Sequence, residues 1–162
     1  MRVMLATLVL GLITAGQAIA QPTVFVVRHA ERADAGSEAA KMMGADPDLS
    51  GAGIMRAEAL ARLLEDAKIT AIFTTEYKRA RQTAAPLATA LGIQPTVVPS
   101  KDVAGLAKKV RSATGAVLIV GHSNTVPEIL AALGSGERVT IGEDDFSNLF
   151  IVVGQTVVRL HY

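Results

Sequence analysis

The sequence predicts an α/β domain: a three-layer α/β/α sandwich built on a mostly parallel sheet with an antiparallel edge. Three observations carry that expectation. Short apolar runs alternate with segments whose apolar residues recur at i, i+3, i+4 and i+7, the mark of strands interleaved with helices. Two of the runs, Thr23–Val27 and Ala116–Val120, show no polar alternation, as expected of strands covered on both faces. The last two runs, Asn148–Val153 and Thr156–Leu160, flank Gly154-Gln155, a hairpin signal that makes an antiparallel pair.

The first twenty residues are expected to lie outside the domain. Arg2 is a positive start, Val3 to Ala15 is apolar, and Ala18-Ile19-Ala20 is an A-x-A cleavage pattern before Gln21. That is a secretory signal pattern, so residues 1–20 are expected to be removed on export to the periplasm or medium. A retained anchor helix is the alternative. After removal, residues 21–162 form one domain with no membrane segment.

Within the domain the elements follow in order. The strand Thr23–Val27 comes first. Residues 33–50 are polar, with Gly36, Gly44 and Pro47, and read as a loop. Leu60, Leu63, Leu64 and Ala67 mark a helix, and Ile69–Thr74 a second strand. Ala80, Ala84, Leu87 and Leu91 mark a helix from Lys78, in which Pro86 is expected to cause a kink or a late start and Gly92 to end it. Thr96–Val98 is a short strand. Val103, Leu106, Ala107 and Val110 give the next helix, Ala116–Val120 a strand, and Val126, Ile129, Leu130 and Leu133 the last helix. Thr125 and Glu128, with Pro127 between them, fit a capping box.

Composition narrows the function classes. The 16 basic and 15 acidic residues nearly cancel, so no global field attracts nucleic acid. The absence of Cys removes disulfides, thiolate zinc sites and a Cys nucleophile. Aromatic residues make up 4% and Trp is absent, which removes stacking platforms for single strands. A chain that is 50% hydrophobic is not disordered.

Ligands of such sheets bind beyond the carboxyl ends of the strands. Three polar clusters stand there. Arg28-His29-Ala30-Glu31-Arg32 follows the first strand, Lys78-Arg79-Ala80-Arg81-Gln82-Thr83 follows the second, and Gly121-His122-Ser123-Asn124 follows the Ala116–Val120 strand. Each has a structural reading: a solvated strand end, a solvated helix face, a satisfied imidazole. Together they put two His and at least two Arg at three strand ends. Arg presents a fixed donor fork to phosphate oxygens, and neutral imidazole is a nucleophile near pH 7. Three cations at a helix start oppose its dipole, so a negative partner is expected, either a bound phosphate or Glu76.

These residues resemble the motifs of the histidine phosphatase (phosphoglycerate mutase-like) superfamily. Arg28-His29-Ala30 is similar to its Arg-His-Gly signature, and Lys78 to Ala84 to the segment that supplies its second Arg. Leu49-Ser50-Gly51-Ala52-Gly53 resembles its helix entry, and Gly121 to Asn124 its second-His motif. The order and spacing fit over nearly all of residues 21–162. The size and the leader resemble small exported bacterial members. Ala30 stands where Gly is usual, and Ala35 where a branch containing mutases carries Asn. Arg32 or Asn124 could take over that phosphate contact.

The resemblance implies a phosphomonoester or phosphohistidine phosphatase that works without metal or other cofactor. His29 would attack phosphorus, and Arg28, Arg79 and His122 would hold the equatorial oxygens. Glu31 would protonate the leaving oxygen, with Asp102 and Asp145 as the other candidates. Glu31 could instead pair with Arg32 or Arg79. The second His29 nitrogen must be pinned by a hydrogen bond. The substrate expected is a phosphorylated small molecule or an envelope phosphoester. Residues 33–50 and Gly134 to Phe146 are expected to set specificity. The alternatives are a non-catalytic anion-binding module on the same pocket and a phosphoryl-transfer mutase.

Overall fold

Strand pairing places all three clusters side by side. In the computed structural model, residues 21–33, 46–136 and 138–162 are described. The expected signal segment and Ala35 lie outside them. Six strands form one sheet in the order β3-β2-β4-β1-β5-β6. They are β1 (Val24–Arg28), β2 (Ile69–Thr74), β3 (Thr96–Val97), β4 (Ala116–Gly121), β5 (Asn148–Val153) and β6 (Thr156–His161). β3, β2, β4 and β1 run parallel, β5 is antiparallel to β1, and β6 to β5. β1 is thus the seam between a parallel and an antiparallel half.

Alternation along β1 explains the layers. Phe25 and Val27 face a core shared with α1 (Gly51–Leu64) and α2 (Lys78–Leu91), while Val24 and Val26 face one shared with α3 (Val103–Arg111) and α4 (Thr125–Ala132). Both faces are therefore covered, and the fold is the expected α/β/α sandwich. All five β1 residues and all six of β4 are buried, in keeping with their unbroken apolar runs.

Four local expectations need correction. Leu63 is 53% exposed; the buried stripe of α1 is Gly53, Ala57, Leu60, Ala61 and Leu64. Leu60 and Leu64 are buried as expected, and Gly53, Ala57 and Ala61 complete the stripe. Pro86 sits inside a continuous α2. The missing bond to Gln82 costs roughly 3 kcal/mol. Burial of Thr83, Ala84, Leu87 and Ala88 around it outweighs that, at about 1.5–3 kcal/mol for the Leu side chain alone. β3 stops at Val97, although the Val98 N–H still bonds Thr74 O at 2.9 Å. The Thr125 hydroxyl caps backwards: it accepts the His122 N–H at 2.9 Å, and His122 O accepts the first helical bond from Val126. The N-cap position is Asn124, and Thr125, the first residue of α4, spends its hydroxyl on His122 instead of capping the helix. Gly92 ends α2 as expected, in the left-handed region at φ 65°, with its N–H on Ala88 and Thr89.

Among the described residues no helix is long and apolar enough to cross a membrane.

Candidate active site

Register brings the histidines together. Arg28 pairs with Gly121 across β1 and β4, so the next residues, His29 and His122, emerge side by side. Their ring centroids are 5.1 Å apart. Thr74 pairs with Val120 on the other flank of β4, so Thr75 follows beside Gly121, one residue short of His122. Its hydroxyl lies 2.9 Å from His122 Nε2.

The partners of His29 define its tautomer. Nδ1 lies 2.8 Å from Ala30 O, which can only accept, so Nδ1 carries the hydrogen. Nε2 accepts from Arg79 Nε at 3.1 Å, so Nε2 keeps its lone pair. The pin that the sequence required on the second nitrogen is thus the carbonyl of the next residue. Burial pushes the His29 pKa down to about 3, and the charges of His122, Arg79 and Arg28 add to that against the opposing Ala30 hydrogen bond. His29 is 5% exposed and neutral throughout the physiological range.

His122 is the mirror case. Arg79 NH2, only a donor, stands 3.5 Å from Nδ1, so the lone pair faces Arg79 and Nε2–H faces Thr75. Burial, then the Arg79 charge, lowers its pKa to about 4 against the raising effect of Glu76 and Asp46. An anion entering between the rings would reverse that balance and favour a proton at Nδ1.

Each of the two arginines lies against an aromatic ring. Arg28 lies 4.0 Å over Phe146, and its NH1 donates to Gly142 O at 2.7 Å. This ties the Gly134 to Phe146 region to the end of β1. Arg28 Nε is buried without a hydrogen-bond partner. Arg79 lies 4.4 Å over Tyr77, whose ring also meets the edge of His122 at 5.1 Å.

The α2 surface holds the first loop in place. Thr83 is fully buried; its hydroxyl accepts the Ala30 N–H at 2.9 Å and donates to Arg79 O at 2.7 Å. Gln82 accepts the Leu49 N–H at 2.8 Å and donates to Asp48 at 2.9 Å. The negative partner expected at this helix start is Asp46. Its carboxylate accepts the Lys78 N–H at 3.0 and 2.9 Å and pairs with Arg79 NH1 at 3.5 Å. Glu76 instead binds Ser100, through its N–H at 2.8 Å and its hydroxyl at 3.0 Å. Sequence reasoning missed Asp46, although three uncompensated cations after β2 were the signal for an acid.

The three candidate proton donors, Glu31, Asp102 and Asp145, are engaged elsewhere. Glu31 meets Arg56, not Arg32 or Arg79, with Arg56 Nε at 3.0 Å from both oxygens and NH2 at 2.7 Å from one. Partial burial raises the Glu31 pKa, but those hydrogen bonds and charges outweigh it and hold the carboxyl below its usual value. A proton donor needs the opposite shift. Asp102 caps α3, accepting from Gly105 N at 2.9 Å. Asp145 pairs with Arg159 at 3.1 Å. Arg32 forms a backbone bridge with Leu49, and Asn124 is exposed at the start of α4, with no capping bond from its side chain. Among the described residues no group of three or more His, Cys, Asp or Glu could hold a metal ion.

Comparison with known proteins accords with this arrangement. The model of the histidine phosphatase superfamily (branch 1) matches residues 24–102. Over that stretch, which takes in β1, the Arg28-His29 loop and the Arg79 segment, the chain is similar to members of that superfamily. The protein histidine phosphatase SixA complexed with tungstate superposes with a TM-score of 0.64 at 20% identity, over 85% of this chain and 94% of that one. A mycobacterial hydrolase gives 0.64 at 16% identity, over 86% and 96%. A mycobacterial glucosyl-3-phosphoglycerate phosphatase with VO3 bound gives 0.63 at 17%, over 83% and 98%. No curated protein sequence matches the chain.

Proposed function

We propose that the protein is a metal-independent phosphatase that acts through a phosphohistidine at His29. One observation carries the reading: a buried, neutral imidazole whose Nδ1–H is tied to Ala30 O, so that the Nε2 lone pair meets a cationic pocket. Two solved relatives of the fold, as their names state, are complexes with tungstate and with VO3, anions of phosphate-like shape.

In the first step the His29 Nε2 lone pair forms a bond to phosphorus, and the bond to the leaving atom breaks with its electron pair. Arg79 leaves Nε2 for a phosphoryl oxygen, and Arg28 Nε gains the acceptor it lacks. His122 takes up a proton at Nδ1 and becomes a third donor. Nδ1–H of His29 stays on Ala30 O and spreads the positive charge of the phosphorylated ring. In the second step water attacks phosphorus, the Nε2–P bond returns its pair to nitrogen, and the water's protons leave on the released phosphate. Such fixed donors contribute roughly 10²–10³-fold each in comparable sites.

Glu31, Asp102 and Asp145 all have other partners, so leaving groups that depart without a protein acid suit the pocket best. Aryl phosphates and phosphohistidine are of that kind. Export would make the substrate an envelope or extracellular phosphoester; an exported protein beginning at Gln21, read by intact mass, tests that.

Turnover of an aryl phosphate and of a phosphohistidine peptide tests the reaction. His29→Ala should abolish both, acid-labile and base-stable phosphate should be trapped on the wild-type protein, and a chelator should leave the rate unchanged. Undiminished activity of His29→Ala would end the reading.

A further inference from the structure

The Arg79 guanidinium is the hub of the pocket. Its Nε and NH2 form a fork aimed at His29 Nε2 and His122 Nδ1, at 3.1 and 3.5 Å. The Tyr77 ring covers one face at 4.4 Å. NH1 points the other way, to Asp46 Oδ1 at 3.5 Å. We propose that Asp46 is a positioning residue: by holding the NH1 edge of Arg79 it keeps the Nε and NH2 fork on the two imidazoles, and on the phosphoryl oxygens that replace them. The catalytic part of this rests on the phosphatase reading above.

Asp46 is itself fixed, which separates it from an ordinary surface ion pair worth about 0–1 kcal/mol. Both carboxylate oxygens sit on the Lys78 N–H at the start of α2, where the helix dipole favours an anion. The segment that follows is pinned to the same helix twice more, Leu49 N–H on Gln82 and Asp48 on both Gln82 and the Lys78 ammonium, at 3.7 Å. An Arg side chain free to rotate has up to about 2 kcal/mol of conformational entropy to lose on binding an anion. Held at one edge and one face, Arg79 has lost much of it before the anion arrives. An entering phosphoryl group takes the fork from the imidazoles, while the Asp46 contact lies on the opposite edge and stays.

The sign of the effect separates this role from a structural one. Asp46 is an anion beside an anion pocket, so removing its charge does not weaken ground-state attraction. It loosens the fork. Asp46→Asn keeps an oxygen for the Lys78 N–H and loses only its charge at the helix start, so the thermal midpoint should fall by a few degrees at most. Turnover of an aryl phosphate should show kcat reduced about ten- to a hundredfold, with KM not raised. In an Arg79→Ala background the same substitution should cost nothing further, because the residue it acts through is gone. An unchanged kcat, an equal loss in both backgrounds, or a raised KM with a midpoint lowered by more than a few degrees would each overturn the proposal. If the wild-type protein turns over neither probe, it is the phosphatase reading that fails. The same cycle is then read on orthophosphate by calorimetry. An effect of Asp46→Asn on Kd that vanishes with Arg79→Ala supports the positioning role; no effect, or the same effect in both backgrounds, overturns it.

Discussion

The Thr83 hydroxyl and the Ala30 N–H, 53 residues apart, are joined by a buried hydrogen bond of 2.9 Å. The Ala30 carbonyl in turn fixes the His29 ring. One helix side chain therefore sets the orientation of the candidate nucleophile without touching it. Thr83→Val keeps the shape and strands the Ala30 N–H, at a cost of about 1–3 kcal/mol. Urea denaturation should show that loss. Turnover should fall as well, since Nδ1 loses a fixed acceptor. Full stability in the variant would show that the bond is dispensable.

Gly53 should tolerate no side chain. A Cβ there would lie 2.1 Å from Glu31 O, which is backbone and cannot swing aside. Ser50 N also bonds that oxygen at 2.9 Å, so α1 and the His29 loop are already in contact. Gly53→Ala should destabilise the fold by roughly 1–3 kcal/mol, read as a lower urea midpoint. Gly51→Ala is the control, since nothing lies within 4 Å of its added carbon.

Acid should destabilise the protein before its carboxylates titrate. The His29 and His122 pKa values lie at about 3 and 4, below the 6.5 of an unfolded chain. Between those values the unfolded chain binds protons that the folded one refuses, so folding stability falls as pH drops. The loss should begin near pH 6.5 and continue towards pH 4. The paired carboxylates, whose pKa values are lowered, contribute only at lower pH. Urea midpoints at pH 7.5, 6 and 5 check this. Equal midpoints would mean the two rings protonate freely in the folded state. Saturating orthophosphate should reduce the acid loss above pH 5, because the anion favours the protonated His122.

Glu31→Gln should lower the activity on alkyl and aryl phosphates by the same factor. Its carboxylate holds Arg56, which also donates to the Tyr162 backbone oxygen at 2.9 Å. The neutral variant weakens that brace and leaves Arg56 half-buried without its partner charge, with a lower thermal midpoint. A loss confined to alkyl phosphates, whose poor leaving groups need a proton, would instead make Glu31 the acid.

The strand ends were legible because their signal is local. An unbroken apolar run followed at once by Arg28-His29 or Gly121-His122 marks both a buried strand and what stands at its mouth. The two-sided burial of β1 and β4 follows from the same runs. What the sequence hid is what depends on distant partners. Glu31 meets Arg56 rather than a neighbour, because α1 crosses directly beneath the loop at Gly53. Asp46 lies in a polar stretch with no period, and only the unbalanced cations of α2 hinted at it. Leu63 matches a helical stripe, yet the buried face of α1 turns from Leu60 and Leu64 towards Gly53, Ala57 and Ala61 and leaves it outside. Pro86 reads as a breaker only when the burial around it is left out.

The seam position of β1 has a consequence for how the molecule comes into being. Val24 pairs with Val117 on one side and with Val152 on the other, so the earliest strand of the sheet is completed by two of the latest. Closing such distant contacts is slow, and nothing local can substitute for them. A chain cut short before β5 would leave His29 on a strand with one bare edge, and one cut before β4 would have no His122 at all. Turnover would thus report the finished fold only. A ribosome-bound chain would carry the first motif without possessing the site.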